Sequence, residues 1–213
     1  MKSIVLQGLP ISVYTRIVRL VLEEKQLEYT LDRVDIFQKA GPPAHYLQQN
    51  PFGTIPCLLH EGFCLYETVA INKYIDSLDA STPLQPTDPK RRARMNQIIS
   101  VLDAYAYKPM IWEVFVERIL VPTEGGEPDQ KVVANALPMI ELTLRELSRW
   151  MGDFQFLVGS DLSLADLHAL PMILYFSYTP EGDEMLASHG SINDWLQRMK
   201  ERQSVLGTRS EYD

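Results

Sequence analysis

Residues 50–75, "NPFGTIPCLLHEGFCLYETVAINKYI", hold in one stretch the turn residues, strand pattern and helix start that decide the fold. Short apolar runs flank the Glu61-Gly62 turn, so the segment predicts a β-hairpin with strands over 56–60 and 63–66. Pro56 stands at the entry of the first strand, where its missing N–H is tolerated, and an Ile-Pro bond there is a candidate for the cis form. A cis Ile55-Pro56 bond would turn the Ile55 N–H and C=O away from the sheet and free them for an extended peptide ligand; a plain strand-start proline is the alternative. Glu67 and Thr68 lie where the hairpin gives way to a helix over 68–78. A helix start offers unpaired N–H groups to a carboxylate and Glu67 can hold an ammonium, which together would recognise an amino-acid head group. Capping of the helix by Thr68, with Glu67 as a dipole partner, is the competing reading.

Upstream, "LPISVYTRIVR" (9–19) reads as a strand ending in a turn that runs into a helix. The pattern predicts a strand over 3–7, a helix over 13–25 and a strand over 28–34, followed by a loop carrying Gly41-Pro42-Pro43. Ser12 in that turn has no adjacent histidine or carboxylate, and a serine without a base is a poor nucleophile. Either Ser12 caps the helix, or the nucleophile belongs to a ligand. Downstream, "SLDASTPLQPTDP" (77–89) is a linker in composition, and β-type alternation ceases after it. Helices are expected over 89–120 with a kink at Pro109, 129–151 interrupted at Pro138, 163–177, 183–189 and 191–202. The fold class is therefore α/β plus all-α: residues 1–78 form the α/β domain, 79–88 the linker and 89–213 the helical domain. Within "GSDLSLADLHALP" (159–171), Ser163 and Asp166 have the spacing of a capping box, and His168 reads as a packed or surface side chain.

The composition, 46% hydrophobic and 23% charged over 213 residues, is that of an ordinary globular protein large enough to bury a core in each domain. A formal net charge of −8 argues against nucleic-acid binding, and "PKRRAR" at the head of a long helix reads as a solvated face. No apolar run approaches the roughly 20 residues of a membrane helix, and the first residues lack the pattern of a signal peptide, so a cytoplasmic location is expected. The two cysteines, Cys57 and Cys64, face each other across the hairpin in principle. Two thiols do not make a zinc site, no metal is expected, and the pair reads as reduced and buried.

The turn serine before "RIVRLVLEE", then "NPFGTIP", "YETVAINKYI", a Pro-rich linker, a helical domain and "SLADLH" follow one another across essentially the whole chain. In this order and spacing the sequence resembles the cytosolic glutathione S-transferases, of bacterial, serine-type, theta- or phi-like character. The resemblance implies a thioredoxin-like domain followed by a C-terminal helical bundle, glutathione as co-substrate, a homodimer and a role in detoxification. It implies that Ser12 donates a hydrogen bond to the glutathione sulfur and stabilises its thiolate, with Tyr14 and Thr15 as the rival hydroxyls. By position, Ile55 and Pro56 would meet the cysteinyl backbone of glutathione, Glu67 and Thr68 its γ-glutamyl end, and Lys39 its glycyl carboxylate, with Thr54 beside them. Asp103, in "SVLDAYAY", falls where some classes reach into the partner subunit's site. The second substrate would be a small apolar electrophile seated between the domains, with Tyr105, Tyr107, Trp112 and Phe115 as aromatic walls or as helix core. Glutathione-dependent reduction, ether cleavage or isomerisation in the same site, and non-catalytic ligand binding, stand as alternatives to conjugation.

Overall fold

The structure is a computed structural model that describes residues 4–213; the expected strand position at Ser3 lies outside the described residues. The chain forms two compact units, one of Met1–Pro83 with Arg202–Asp213 and the other of Leu84–Glu201.

In the first unit, strands β1 (Ile4–Gly8), β2 (Tyr29–Arg33), β3 (Cys57–His60) and β4 (Phe63–Tyr66) make one sheet in the order β2-β1-β3-β4. Helix α1 (Val13–Glu24) makes the crossover between β1 and β2, which pair in parallel from Ile4↔Tyr29 to Gly8↔Arg33. The hairpin pairs antiparallel, with β3 running against β1. Side chains alternate across a strand. Cys57 and Leu59 accordingly join Leu9, Val34, Ile36, Tyr46, Ile55 and Cys64 in one apolar cluster. Leu6 and Leu58, partners across the ladder, fall on the other face and are fully buried. On α1 the residues Ile17, Leu20 and Val21 are buried, as are Ile71 and Ile75 of α3 (Thr68–Leu78), which packs against it.

The segment after β2, expected as loop, contains a helical turn, α2 (Ala44–Leu47). It places buried Tyr46, whose hydroxyl donates to the Thr54 carbonyl at 2.6 Å. Residues 202–213, including α10 (Gln203–Gly207), return to α1. Arg202 grips Glu24 through two bonds of 2.7 Å, Arg19 donates to the carbonyls of Gly207 and Thr208, and buried Arg16 pairs with Asp213 at 2.8 Å. The buried ammonium of Lys25 binds Asp76 at 3.2 Å and the carbonyls of Asp79 and Thr82, fixing the start of the linker.

In the second unit, Asp88 caps α4 (Pro89–Val101), its carboxylate accepting from the Arg91 N–H at 2.8 Å. The helix continues beyond Val101 in wider π geometry over Leu102–Ala106 and Lys108–Leu120, closing in α5 (Val121–Thr123). Tyr107 N–H bonds the Leu102 carbonyl, five residues back. Pro109 lacks an N–H and its ring would crowd the carbonyl four residues back, so the π register accommodates by widening what was expected as a kink. Likewise α6 (Gln130–Met151) runs unbroken through Pro138 and stops at Gly152, whose φ is +55°.

Helix α7 (Leu164–Phe176) is buried on every face, and the expected Ser163–Asp166 capping box is present. Asp166 has no exposure and accepts four hydrogen bonds, from the N–H groups of Leu157 and Ser163, the Ser163 hydroxyl and the Trp195 indole. Burial pushes its carboxyl above the usual range and those four donors oppose the shift. Helices α8 (Pro180–Ser188) and α9 (Gly190–Lys200) complete the unit.

Candidate active site

Strand register decides which residues meet. Gln7, Cys57 and Tyr66 form one row across β1, β3 and β4. Because β1 and β4 run antiparallel to β3, the chain leaves this row at one end of the sheet toward Ser12 after β1, arrives there through Ile55-Pro56 before β3, and leaves again toward Glu67-Thr68 after β4. The loop after β2, which carries Lys39, departs from that end too, since β2 is parallel to β1. Four separate stretches of the sequence thus meet at one end of the sheet.

Ser12 is the N-cap of α1, with φ −63° and ψ 125°. Its carbonyl accepts from Arg16 N–H at 2.8 Å and its Oγ accepts from Thr15 N–H at 3.3 Å. A hydroxyl has two acceptor sites and one donor, so capping leaves the O–H hydrogen to donate outward. The two earlier roles, cap and donor, are compatible. Gly8 permits the close approach at this turn: a Cβ there would lie 2.3 Å from Thr15 Oγ1, so the Thr15 side chain at the start of α1 would have to shift. Tyr14 lies inside the first turn of α1.

The Ile55-Pro56 bond is cis. Ile55 precedes the first ladder residue of β3, so its backbone lies outside the sheet pairing. The Thr54 carbonyl is fixed by two donors, the Tyr46 hydroxyl and Asn50 Nδ2 at 2.7 Å, while the Thr54 side chain is exposed. Asn50, fully buried, also accepts from Phe52 N–H at 3.1 Å. Gly53 closes the turn at φ +66°, with space for a Cβ limited by Pro42 at 3.1 Å. Sequence reading passed over Tyr46 and Asn50; the Asn-Pro pair that opens the turn was the available signal.

Glu67, not Thr68, is the N-cap of α3, and its side chain makes no capping bond. Its φ is +69° with ψ 109°, a conformation that costs a non-glycine residue about 1–3 kcal/mol. The side chain is exposed, and buried Thr68 occupies the first helical position. Lys39 is exposed in its loop. In the second unit Asp103 bonds His168 Nε2 at 2.8 Å, a buried imidazole under a partly exposed carboxylate. Of the four aromatic residues, Phe115 is core and stacks on Tyr175 at 5.0 Å, Tyr107 is partly buried, and Tyr105 and Trp112 are 53% and 43% exposed. Among the described residues, no group of three or more His, Cys, Asp or Glu side chains is arranged to hold a metal ion.

Two family models match this chain, the glutathione S-transferase N-terminal domain over residues 11–78 and the glutathione S-transferase C-terminal domain over residues 93–203. Glutathione S-transferase F14 of Arabidopsis thaliana is 31% identical over 192 residues, covering 88% of this chain and 75% of that protein. The solved structure of glutathione S-transferase III in its apo form superposes with a TM-score of 0.86 at 28% identity, covering 97% of this chain and 95% of the other. Glutathione S-transferase I from maize, solved in complex with an atrazine glutathione conjugate, superposes with a TM-score of 0.84 at 26% identity over 97% and 96% of the two chains. The order of the converging segments, the two-unit architecture and these matches agree: the chain belongs to the glutathione S-transferase family.

Proposed function

We propose that this chain is a glutathione transferase that binds glutathione at the end of the sheet, holds its sulfur as thiolate at Ser12 and adds it to an apolar electrophile. The observation that carries the proposal is the register that brings Ser12, Ile55-Pro56 and Glu67-Thr68 together. Glutathione is γ-glutamyl-cysteinyl-glycine, with an ammonium and a carboxylate at one end and a second carboxylate at the other. Glu67 takes the ammonium, the first turn of α3 with Thr68 takes the adjacent carboxylate, the Ile55 backbone pairs with the cysteinyl unit beside Pro56 and Thr54, and Lys39 meets the glycyl carboxylate. This seats the thiol against the first turn of α1.

Ser12 then needs no base. A thiol with pKa about 8.5 is only a few per cent ionised at pH 7, and lowering it by about 2 units takes roughly 2.7 kcal/mol. A hydrogen bond to a charged acceptor supplies about 1.5–3 kcal/mol and a helix N-terminus about 0.3–1 kcal/mol. The Thr15 N–H that Ser12 already accepts polarises its O–H further. In the transfer, the thiolate forms a bond to the electrophilic carbon while the leaving group departs with its electron pair.

We place the protein in the cytoplasm, where glutathione is abundant and thiols stay reduced, and read it as a homodimer. Support for the dimer is a largely apolar groove on the second unit, lined by Val101, Tyr105, Met139, Leu142 and Trp150 together with Thr143 and Glu146, in which Tyr105, Met139 and Leu142 expose large side chains.

Calorimetric titration with glutathione, followed by conjugation assays over a panel of aryl and alkyl electrophiles, tests the reading. Saturable binding below about 1 mM and second-order turnover are expected, and no binding at 10 mM would reject it.

A further inference from the structure

Cys57 and Cys64 are the two cysteines of the chain. The β3–β4 register opposes Cys57 to Tyr66 and Cys64 to Leu59, which sets the cysteines diagonally on one face of the sheet with their sulfurs 3.3 Å apart. A disulfide spans about 2.05 Å, so the sulfurs must come roughly 1.2 Å closer to join. The two thiols differ in access. Cys57 is fully buried, whereas Cys64 is partly exposed and donates its S–H to the Gln49 carbonyl at 3.4 Å.

We infer that Cys57 and Cys64 form a reversible redox pair, in which a hydroperoxide oxidises Cys64 and Cys57 resolves it to an intramolecular disulfide. In the first step the Cys64 sulfur attacks a peroxide oxygen, the O–O bond breaks, and the departing hydroxide takes the thiol proton as water, leaving a sulfenic acid. In the second step the Cys57 sulfur attacks the Cys64 sulfur, and the displaced hydroxide leaves as water with the Cys57 proton. Two thiols are oxidised by two electrons and one hydrogen peroxide becomes two waters. Burial and the neighbouring Cys64 sulfur push the Cys57 thiol up to about 12, and its complete burial shields it from peroxide, so Cys64 is the sulfur that meets the oxidant.

The pair lies between the two hairpin-borne segments of the glutathione site, Cys57 following Ile55-Pro56 and Cys64 preceding Glu67. A bond between diagonal positions strains the ladder, and strained disulfides are the reducible ones. The inference rests on the sulfur geometry and the unequal burial of the two thiols, and holds or fails independently of glutathione binding.

The full-length protein is treated with a modest excess of hydrogen peroxide, denatured in an alkylating agent and weighed by mass spectrometry. Loss of both alkylatable thiols in a monomeric chain about 2 Da lighter, reversed by dithiothreitol, is the expected result. Cys57→Ala, probed with dimedone, should carry the adduct on Cys64. Two free thiols after treatment, a Cys64 sulfinic acid in the wild type, or a disulfide joining two chains would overturn the inference. The wild-type thiol count stands whether or not Cys57→Ala folds.

Discussion

Ser12 has a double duty that follows from what one hydroxyl can do: it accepts the Thr15 N–H to cap α1 and has a hydrogen left for a sulfur anion. Ser12→Ala therefore loses a cap, worth about 1 kcal/mol, and lowers Tm by roughly 2–4 °C in a chain of this size. Ser12→Asn restores an N-cap of comparable quality, so on this account it recovers the Tm but not the full conjugation rate. Glu67 presents the opposite balance, since its φ of +69° costs stability and its side chain caps nothing. Glu67→Gly relieves that strain and should leave Tm unchanged or higher by about 2 °C, while weakening glutathione binding about tenfold through loss of a charged partner. Parallel melting and calorimetry check this, and a variant that melts lower and binds equally well would contradict the role given to Glu67. The residue types at 12, 67 and 68 were readable from sequence, because helix starts have a local signature. The backbone strain at Glu67 was not, since it is imposed by how β4 hands over to α3.

At the scale of elements, the hairpin, α1 and α3 were legible because turns, alternation and apolar faces are written locally. What escaped depended on distant partners. Four residues of α2 were read as loop, yet they matter because Tyr46 reaches Thr54, a contact no window of sequence displays. Pro109 and Pro138 were expected as a kink and an interruption, but the chain passes Pro109 in π register and α6 runs on through Pro138. The Ser163–Asp166 box was legible, whereas the Leu157 and Trp195 donors that converge on Asp166 were not. Asp166→Ala leaves four buried donors without an acceptor and should cost about 3 kcal/mol or more, read as a large fall in urea midpoint. The clip between α1 and α10 has a pH signature. Burial raises the Glu24 carboxyl, but hydrogen bonds from Arg202 and Ser204 outweigh it and the pKa is lowered from 4.5. A lowered carboxyl stabilises the fold above its unfolded pKa and loses that contribution as pH falls through the folded value. Wild-type stability should therefore drop below about pH 4.5 more steeply than that of Glu24→Gln, a difference that denaturation midpoints between pH 3 and 6 would reveal.

For the whole molecule, the sequence reading assigned residues 89–213 to one helical domain, while residues 202–213 lie with the first compact unit. That return is held by Arg16, Arg19 and Glu24 on α1, charged residues whose partners lie nearly two hundred positions away and so have no local trace. The exposed groove on the second unit puts the proposed dimer to a direct test: Leu142→Glu should convert the wild-type dimer to a monomer in light scattering, and a variant that stays dimeric would remove the groove from the interface. The central claim, that the nucleophile belongs to the ligand and Ser12 stabilises its charge, is most directly tested by the pKa of enzyme-bound glutathione, followed by thiolate absorbance near 240 nm against pH. The account predicts a bound thiol about 2 units below its free value in the wild type and about 1–2 units higher in Ser12→Ala, with conjugation at neutral pH falling in step. An unchanged thiol pKa with full activity in Ser12→Ala would contradict it.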